Sequence, residues 1–224
     1  SNTERPMLIR PYRIVIESHL RSTAQLFGVH QFDACVRILE QLKAKTGESE
    51  MQEKLRYIET VCRSYSAWDR FNHHEAFEAL KQVKGYVQNK EFLGRLLRSE
   101  EKEPFLIVDL LNNAERRAEE GKYDDAVARL YRTIELIAQY RLKKGYKIET
   151  SDVKPEEIPI ILREKINQQK DEKGRIRLGL ANAYELLAEM GDELGKATLE
   201  NKKLKNLLTM RNESILAHGT TPIP

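Results

Sequence analysis

LENKKLKNLLTMRNESILAHG, residues 199–219, is the last amphipathic stretch of the chain, and its reading decides how the rest is understood. Leu204, Leu207, Leu208 and Ile215 recur at three- and four-residue steps, which marks one inward face of a helix. Arg211 and His218 fall on that same face. Seven residues are two helical turns less roughly 20°, so Leu204, Arg211 and His218 form one stripe with steps of about 10 Å. A guanidinium and an imidazole thus stand where the pattern calls for leucine. Taking an unpaired arginine charge out of water costs several kcal/mol, so the pair is expected to face a polar cleft or a partner's surface. Gly219 supplies a C-cap, and Pro222 stops the helix from resuming. A plainer reading has Arg211 snorkelling to solvent and His218 capping the last turn at the negative end of the helix dipole. Arg13 and His19 make nearly the same pattern in another helical segment; what sets the C-terminal pair apart is Asn212 after the arginine and Ala217 and Gly219 beside the histidine.

RNESILAHG resembles the motif of HEPN-domain ribonucleases: an arginine, a polar residue, a gap of four to six residues and a histidine. The stretches EEGKYDDAVARLYRTIELIAQYRLKKGY (119–146) and LGLANAYELLAEMGDELG (178–195) are similar to the preceding helices in the CRISPR-associated CARF–HEPN proteins of type III systems. The resemblance covers roughly Pro104 to Pro224 well and the first hundred residues weakly. It implies an all-α fold, an RNA substrate and a homodimer in which two motif helices meet at a two-fold interface to make one composite cleft. It also implies an upstream CARF domain that senses cyclic oligoadenylate. No alternation of strand and helix and no glycine-rich loop is found in this chain, so such a sensor is expected upstream of Ser1, consistent with the lack of an initiator methionine.

Composition sets the outer limits. A chain of 224 residues suffices for one large or two modest domains. One third of the residues are charged and no apolar run nears 18, which excludes a membrane span. The net charge of +3 is mild and by itself demands no nucleic acid. Cys35 and Cys62 sit apart in amphipathic segments without metal-type spacing, which suits reduced core thiols of a cytoplasmic protein, and the resemblance implies a prokaryotic one.

Helices are expected over about 12–27 (Ile14, Val15, Leu20, Ala24 and Phe27 inward), 32–45, 49–69, 73–88 and a short segment at Phe92–Leu97. Ala34, Ala76 and Ala126 each open a helix after an aromatic or polar lead, with Ile38, Leu80 and Leu130 four residues on. The unequal spacing argues against a regular solenoid and suits stacked hairpins of tetratricopeptide type. The charged run Arg98–Glu103 before Pro104 marks the boundary between a helical connector, 1–102, and a HEPN-like bundle, 103–224. In the bundle, Ile107, Leu110, Leu111, Ala114 and Ala118 outline one helix ending at Gly121, and Val127, Leu130, Tyr131, Ile134 and Ala138 the next, capped by Gly145. Residues 146–177 read as a surface excursion holding one short proline-led helix, Pro155 to Ile166, and a polar, highly charged stretch, Gln168 to Arg175, after which Leu180, Ala183, Tyr184 and Leu187 return to the core and Asp192 caps a turn into the final helix. His30, His73 and His74 do not form a metal site by sequence, because adjacent helical residues point about 100° apart and zinc sites add cysteine or carboxylate at fixed spacing. Trp68 and Phe71 are expected to be packing anchors.

The chemistry needs no cofactor and no metal. RNA carries its own nucleophile, the 2′-hydroxyl. Arg211 offers a planar, permanently charged fork for phosphate oxygens. His218 offers a proton exchanger near neutrality, and Asn212 a hydrogen-bonding group to orient the phosphate or the imidazole. Lys202, Lys203 and Lys205 are candidates for drawing in the RNA backbone, against the alternative of a merely solvated face. The resemblance, with this chemistry, implies metal-independent cleavage of single-stranded RNA in CRISPR-linked antiviral defence. The alternatives are a catalytically silent helical scaffold or docking module and a HEPN toxin paired with a nucleotidyltransferase.

Overall fold

A computed structural model describes residues 11–213 apart from 168, 169 and 173. The chain divides into two compact units, Ser1–Glu100 and Glu101–Pro224. The fold is all-α; among the described residues the only strand-like pairings are isolated bridges of Val153 and Lys170 with Ile176.

The first unit comprises α1 (Pro11–Gly28), α2 (Phe32–Lys45), α3 (Ser49–Asp69), α4 (His73–Lys81) and α5 (Val87–Arg98). Its core has two parts. Ile16, Cys35, Leu39, Leu42, Leu55 and Cys62 fill one, and Val61, Ala67, Ala76, Leu80, Val83 and Leu93 the other. Phe27 touches both parts and sits edge-on to Phe32 and Tyr65, at 5.0 and 5.1 Å. Trp68 stacks on Phe92 at 5.7 Å. Cys35 and Cys62 both lie in the first part, and Cys35 Sγ donates to Thr23 O. Ionic contacts tie the hairpins together, with the buried Glu59 between Lys43 and Arg63 and the exposed Asp33 accepting from Ser66 Oγ and Arg70.

Four pairs of helices share one turn, which is the physical content of the loose repeat. His30, Phe71, Gly121 and Gly191 are left-handed, at φ 63, 60, 73 and 82°. In each case the next N–H reaches back to a carbonyl five residues earlier: Gln31 to Leu26, Asn72 to Ala67, Lys122 to Arg117 and Asp192 to Leu187, at 2.8–2.9 Å. This hydrogen bond satisfies an otherwise unpaired helix-end carbonyl. Where the left-handed residue is not glycine, its ring meets the ring two positions on, His30 with Phe32 at 5.9 Å and Phe71 with His73 at 6.0 Å. Aligned on these turns, the equivalent core positions are Cys35, Ala76 and Ala126, so the first repeat is one residue out of the register expected from Ala34.

Two expectations for the first unit need correction. On α1 the buried residues among those described are Ile16 and Thr23, while Ile14, Val15 and Ala24 are exposed. The fourth helix ends at Lys81, because Gly85 and Tyr86 are both left-handed, and Val87 opens α5 as an exposed residue.

The second unit contains α6 (Glu103–Glu119), α7 (Tyr123–Arg141), α8 (Ile160–Asn167), α9 (Leu180–Glu189), α10 (Glu193–Glu200) and α11 (Lys202–Glu213). A π-turn, Leu142–Tyr146, ends α7, and the left-handed residue that follows is Lys147 rather than Gly145. Residues 146–177 are not a surface excursion. Ile148, Val153, Ile158, Ile166 and Ile176 are each at most 2 % exposed and lie in the main core with Leu142, Leu178, Tyr184, Leu186 and Leu187. Single β-branched residues spaced five to ten apart carry no helical or strand period, so periodicity passes over them. The buried side of α6 is largely polar, with Ala114 its one apolar member. Asp109, Asn113 and Arg117, at four-residue steps, are buried, Arg129 donates to Asn113, and Leu111 and Leu130 are exposed instead.

Candidate functional site

The approach to the motif helix is built by short-range rules. Gly191 turns the chain out of α9, and Asp192 then caps α10, its Oδ1 accepting from the Leu194 N–H at 3.0 Å. Gly195 lies directly against α9: a Cβ there would come within 2.4 Å of Ala188 N and 2.7 Å of Leu187 C. Leu199 packs on the main core. Asn201 leaves the helix at ψ 94° and its Oδ1 accepts from the Leu204 N–H at 3.0 Å, so it caps α11. The final helix therefore starts at Lys202, and Leu199 and Glu200 belong to α10.

Asp192 does more than cap. Its side chain is fully buried, and Oδ2 accepts from Arg141 Nε at 2.7 Å and from the Tyr146 hydroxyl at 3.0 Å. Burial pushes the carboxyl up, but the hydrogen bonds from Arg141, Tyr146 and the Leu194 N–H outweigh it and hold the group below its ordinary value. The end of α7 and the start of α10 are thus joined through one carboxylate. Sequence reasoning finds only the cap, because Arg141 lies 51 residues away and no local pattern links the two.

The helix α11 touches α7 and α10. Its backbone runs helically through Arg211 and Asn212, so the motif begins on a helix as expected, while His218 lies outside the described residues. Lys202, Lys203 and Lys205 are exposed, Leu204 is half-buried, and Thr209 Oγ1 donates to Lys205 O at 3.0 Å. The first turn of α11 contains no acidic residue. Lysines at the positive end of a helix dipole are the reverse of what the dipole favours, and together with it they make this end attractive to anions.

The remaining histidines fall apart. His73 is buried against Phe71, whereas His74 beside it is exposed. Among the described residues no group of three histidine, cysteine, aspartate or glutamate side chains is placed to hold a metal ion. Arg13 of the competing pattern is paired with Glu48 at 3.0 Å. Among the described residues no helix is long and apolar enough to cross a membrane.

Compared with known protein families, residues 95–224 match the Csm6 HEPN domain, more than half of the chain. The chain belongs to the Csm6 HEPN family. Residues 17–105 match the Csm6 6H domain, so the helical hairpins of the first unit are part of the same relationship and the resemblance carried by RNESILAHG holds. No curated protein matches the chain. The Csm6 relationship makes this a CRISPR-associated module of HEPN ribonuclease type.

Proposed function

We propose that the chain is a metal-independent endoribonuclease module that cleaves single-stranded RNA in CRISPR-linked defence. The observation that carries this reading is the Csm6 HEPN match, which runs through RNESILAHG, with that motif entered on a helix. The RNA 2′-hydroxyl attacks the adjacent phosphorus, and the 5′-oxygen leaves, giving a 2′,3′-cyclic phosphate and a 5′-hydroxyl. Arg211 binds and neutralises the phosphate, His218 exchanges the proton, and Asn212 orients one or the other. Lys202 and Lys205, exposed on the first turn of α11, draw the RNA backbone toward the site.

One helix supplies one arginine and one histidine, with attachment points roughly 10 Å apart. A complete site is therefore assigned to a homodimer in which two motif helices face each other across a two-fold axis. The first unit, over 1–102, serves as connector to an upstream CARF sensor of cyclic oligoadenylate, and the protein acts in the cytoplasm. Digestion of a single-stranded RNA in the presence of a metal chelator tests the reading. Wild type should cleave, and Arg211→Ala and His218→Ala should each lose at least about 100-fold while remaining folded dimers. Cleavage unchanged by both substitutions would leave a helical scaffold.

A further inference from the structure

The motif helix is aimed by what holds α10, and one side chain dominates that hold. Asp192 binds three groups at once: the Leu194 N–H of α10, Arg141 at the end of α7 and Tyr146 at the end of the π-turn. On the other side, Gly195 allows α10 to rest on the α9 backbone with no intervening side chain. Leu199 is anchored in the core, and Asn201 starts α11 at once. No loop of adjustable length separates the clamp from the motif. From Asp192 to Arg211 the path is two helices and one capping residue.

Resting on the ribonuclease reading given above, we propose that Asp192 is a positioning residue for RNA cleavage, fixing through α10 the direction in which α11 leaves the bundle. The leverage is large. At 1.5 Å per residue α10 and α11 are each rods of about 12–18 Å. A tilt of about 5° at the clamp therefore moves position 211 by about 1–2 Å. Misplacement of a catalytic group by about 1 Å is worth up to about 100-fold in rate. In a composite dimeric site the same error enters from both protomers.

The test is steady-state cleavage of a single-stranded RNA in chelator by the full chain, at a temperature where circular dichroism shows every variant folded. Asp192→Asn keeps the cap acceptor and the side-chain size but removes the charge that binds Arg141. It should lower kcat about 10-fold or more and leave KM within twofold. Arg141→Gln, on an exposed side chain, should lower kcat in the same direction, whereas Arg141→Lys, which keeps the cation, should recover most of the rate. The double variant Arg141→Gln/Asp192→Asn should lose no more than the worse single one, because both act through one contact. Tyr184→Phe deletes a core hydrogen bond to Ile134 O and serves as the control for destabilisation alone; it should lower the melting temperature without changing kcat. Wild-type kcat in both Asp192→Asn and Arg141→Gln overturns the inference, as does a loss that merely follows the melting temperature across all variants. Absence of cleavage by wild type, or cleavage indifferent to Arg211→Ala, overturns the ribonuclease reading instead.

Discussion

Replacing Gly195 by alanine adds a single methyl group, and the structure assigns it a large penalty. The new Cβ would stand 2.4 Å from Ala188 N and 2.7 Å from both Leu187 C and Leu187 Cβ. Two of these neighbours are backbone atoms in the last turn of α9, so no rotamer change relieves the clash. α10 must retreat by at least about 0.6 Å to reach a tolerable 3.0 Å. That retreat pulls against the Asp192 clamp at one end and the Leu199 anchor at the other. Overpacking of a tight contact costs about 1–3 kcal/mol and more when backbone is involved, and the upper end is expected here. For a unit of this size each kcal/mol lowers the midpoint by about 3–5 °C, so Gly195→Ala should lower the melting temperature by roughly 10 °C. Thermal unfolding of the full chain followed by circular dichroism measures it. Gly145→Ala is the matched control: a Cβ at Gly145 meets nothing within 4 Å and no left-handed φ is required. It should leave stability unchanged or raise it by about 0.4–1 kcal/mol through the unfolded chain. A melting temperature for Gly195→Ala within 2 °C or so of wild type would refute the close seating of α10 on α9.

Acid should weaken the first unit through Glu59. Burial pushes its carboxyl up, yet Lys43 and Arg63 outweigh burial and hold it below the ordinary 4.5. A carboxyl depressed on folding contributes stability that is present above the unfolded value and lost as pH falls through the folded one. Urea midpoints should therefore be flat near neutrality and fall below about pH 4.5; Glu59→Gln should flatten that fall while lowering stability at pH 7. Ser64→Ala removes the hydroxyl that donates to Ala76 O at 2.7 Å in a fully buried place, and should cost about 1–3 kcal/mol by denaturant titration. Lys202→Ala/Lys205→Ala should weaken RNA binding and flatten its dependence on salt, measured as KM against ionic strength.

Helices were legible wherever apolar residues obey the helical period, which is why α2, α3, α6 and α7 fall close to their expected places. Faces were less legible. On α6 the regular leucine stripe points partly to solvent, since Asp109, Asn113 and Arg117 are buried and Arg129 of α7 donates to Asn113. A scan for apolar spacing gives no weight to a polar ladder of that kind. The burial of residues 146–177 escaped for the opposite reason: Ile148, Val153, Ile158 and Ile176 are single anchors in irregular chain and Ile166 sits on the short α8, all packed in one core with residues distant in sequence. At the candidate site, the helical setting of Arg211 and Asn212 could be read locally. The carboxylate that ties α10 to α7 could not, because Asp192 and Arg141 become neighbours only in the folded bundle.

The two thiols of the first unit have a practical consequence. Cys35 and Cys62 are the chain's only cysteines and are 0 and 1 % exposed. Burial raises both, and with Cys35 alongside, the Cys62 thiol is pushed up to about 12, so neither is reactive while the helices stay closed. A maleimide or disulfide reagent added to the native protein thus reacts only as fast as this unit opens, while the cysteine-free second unit stays silent. The unmodified chain therefore carries its own clock for breathing of the first unit, and any ligand that tightens or loosens those hairpins would register as a slower or faster labelling rate.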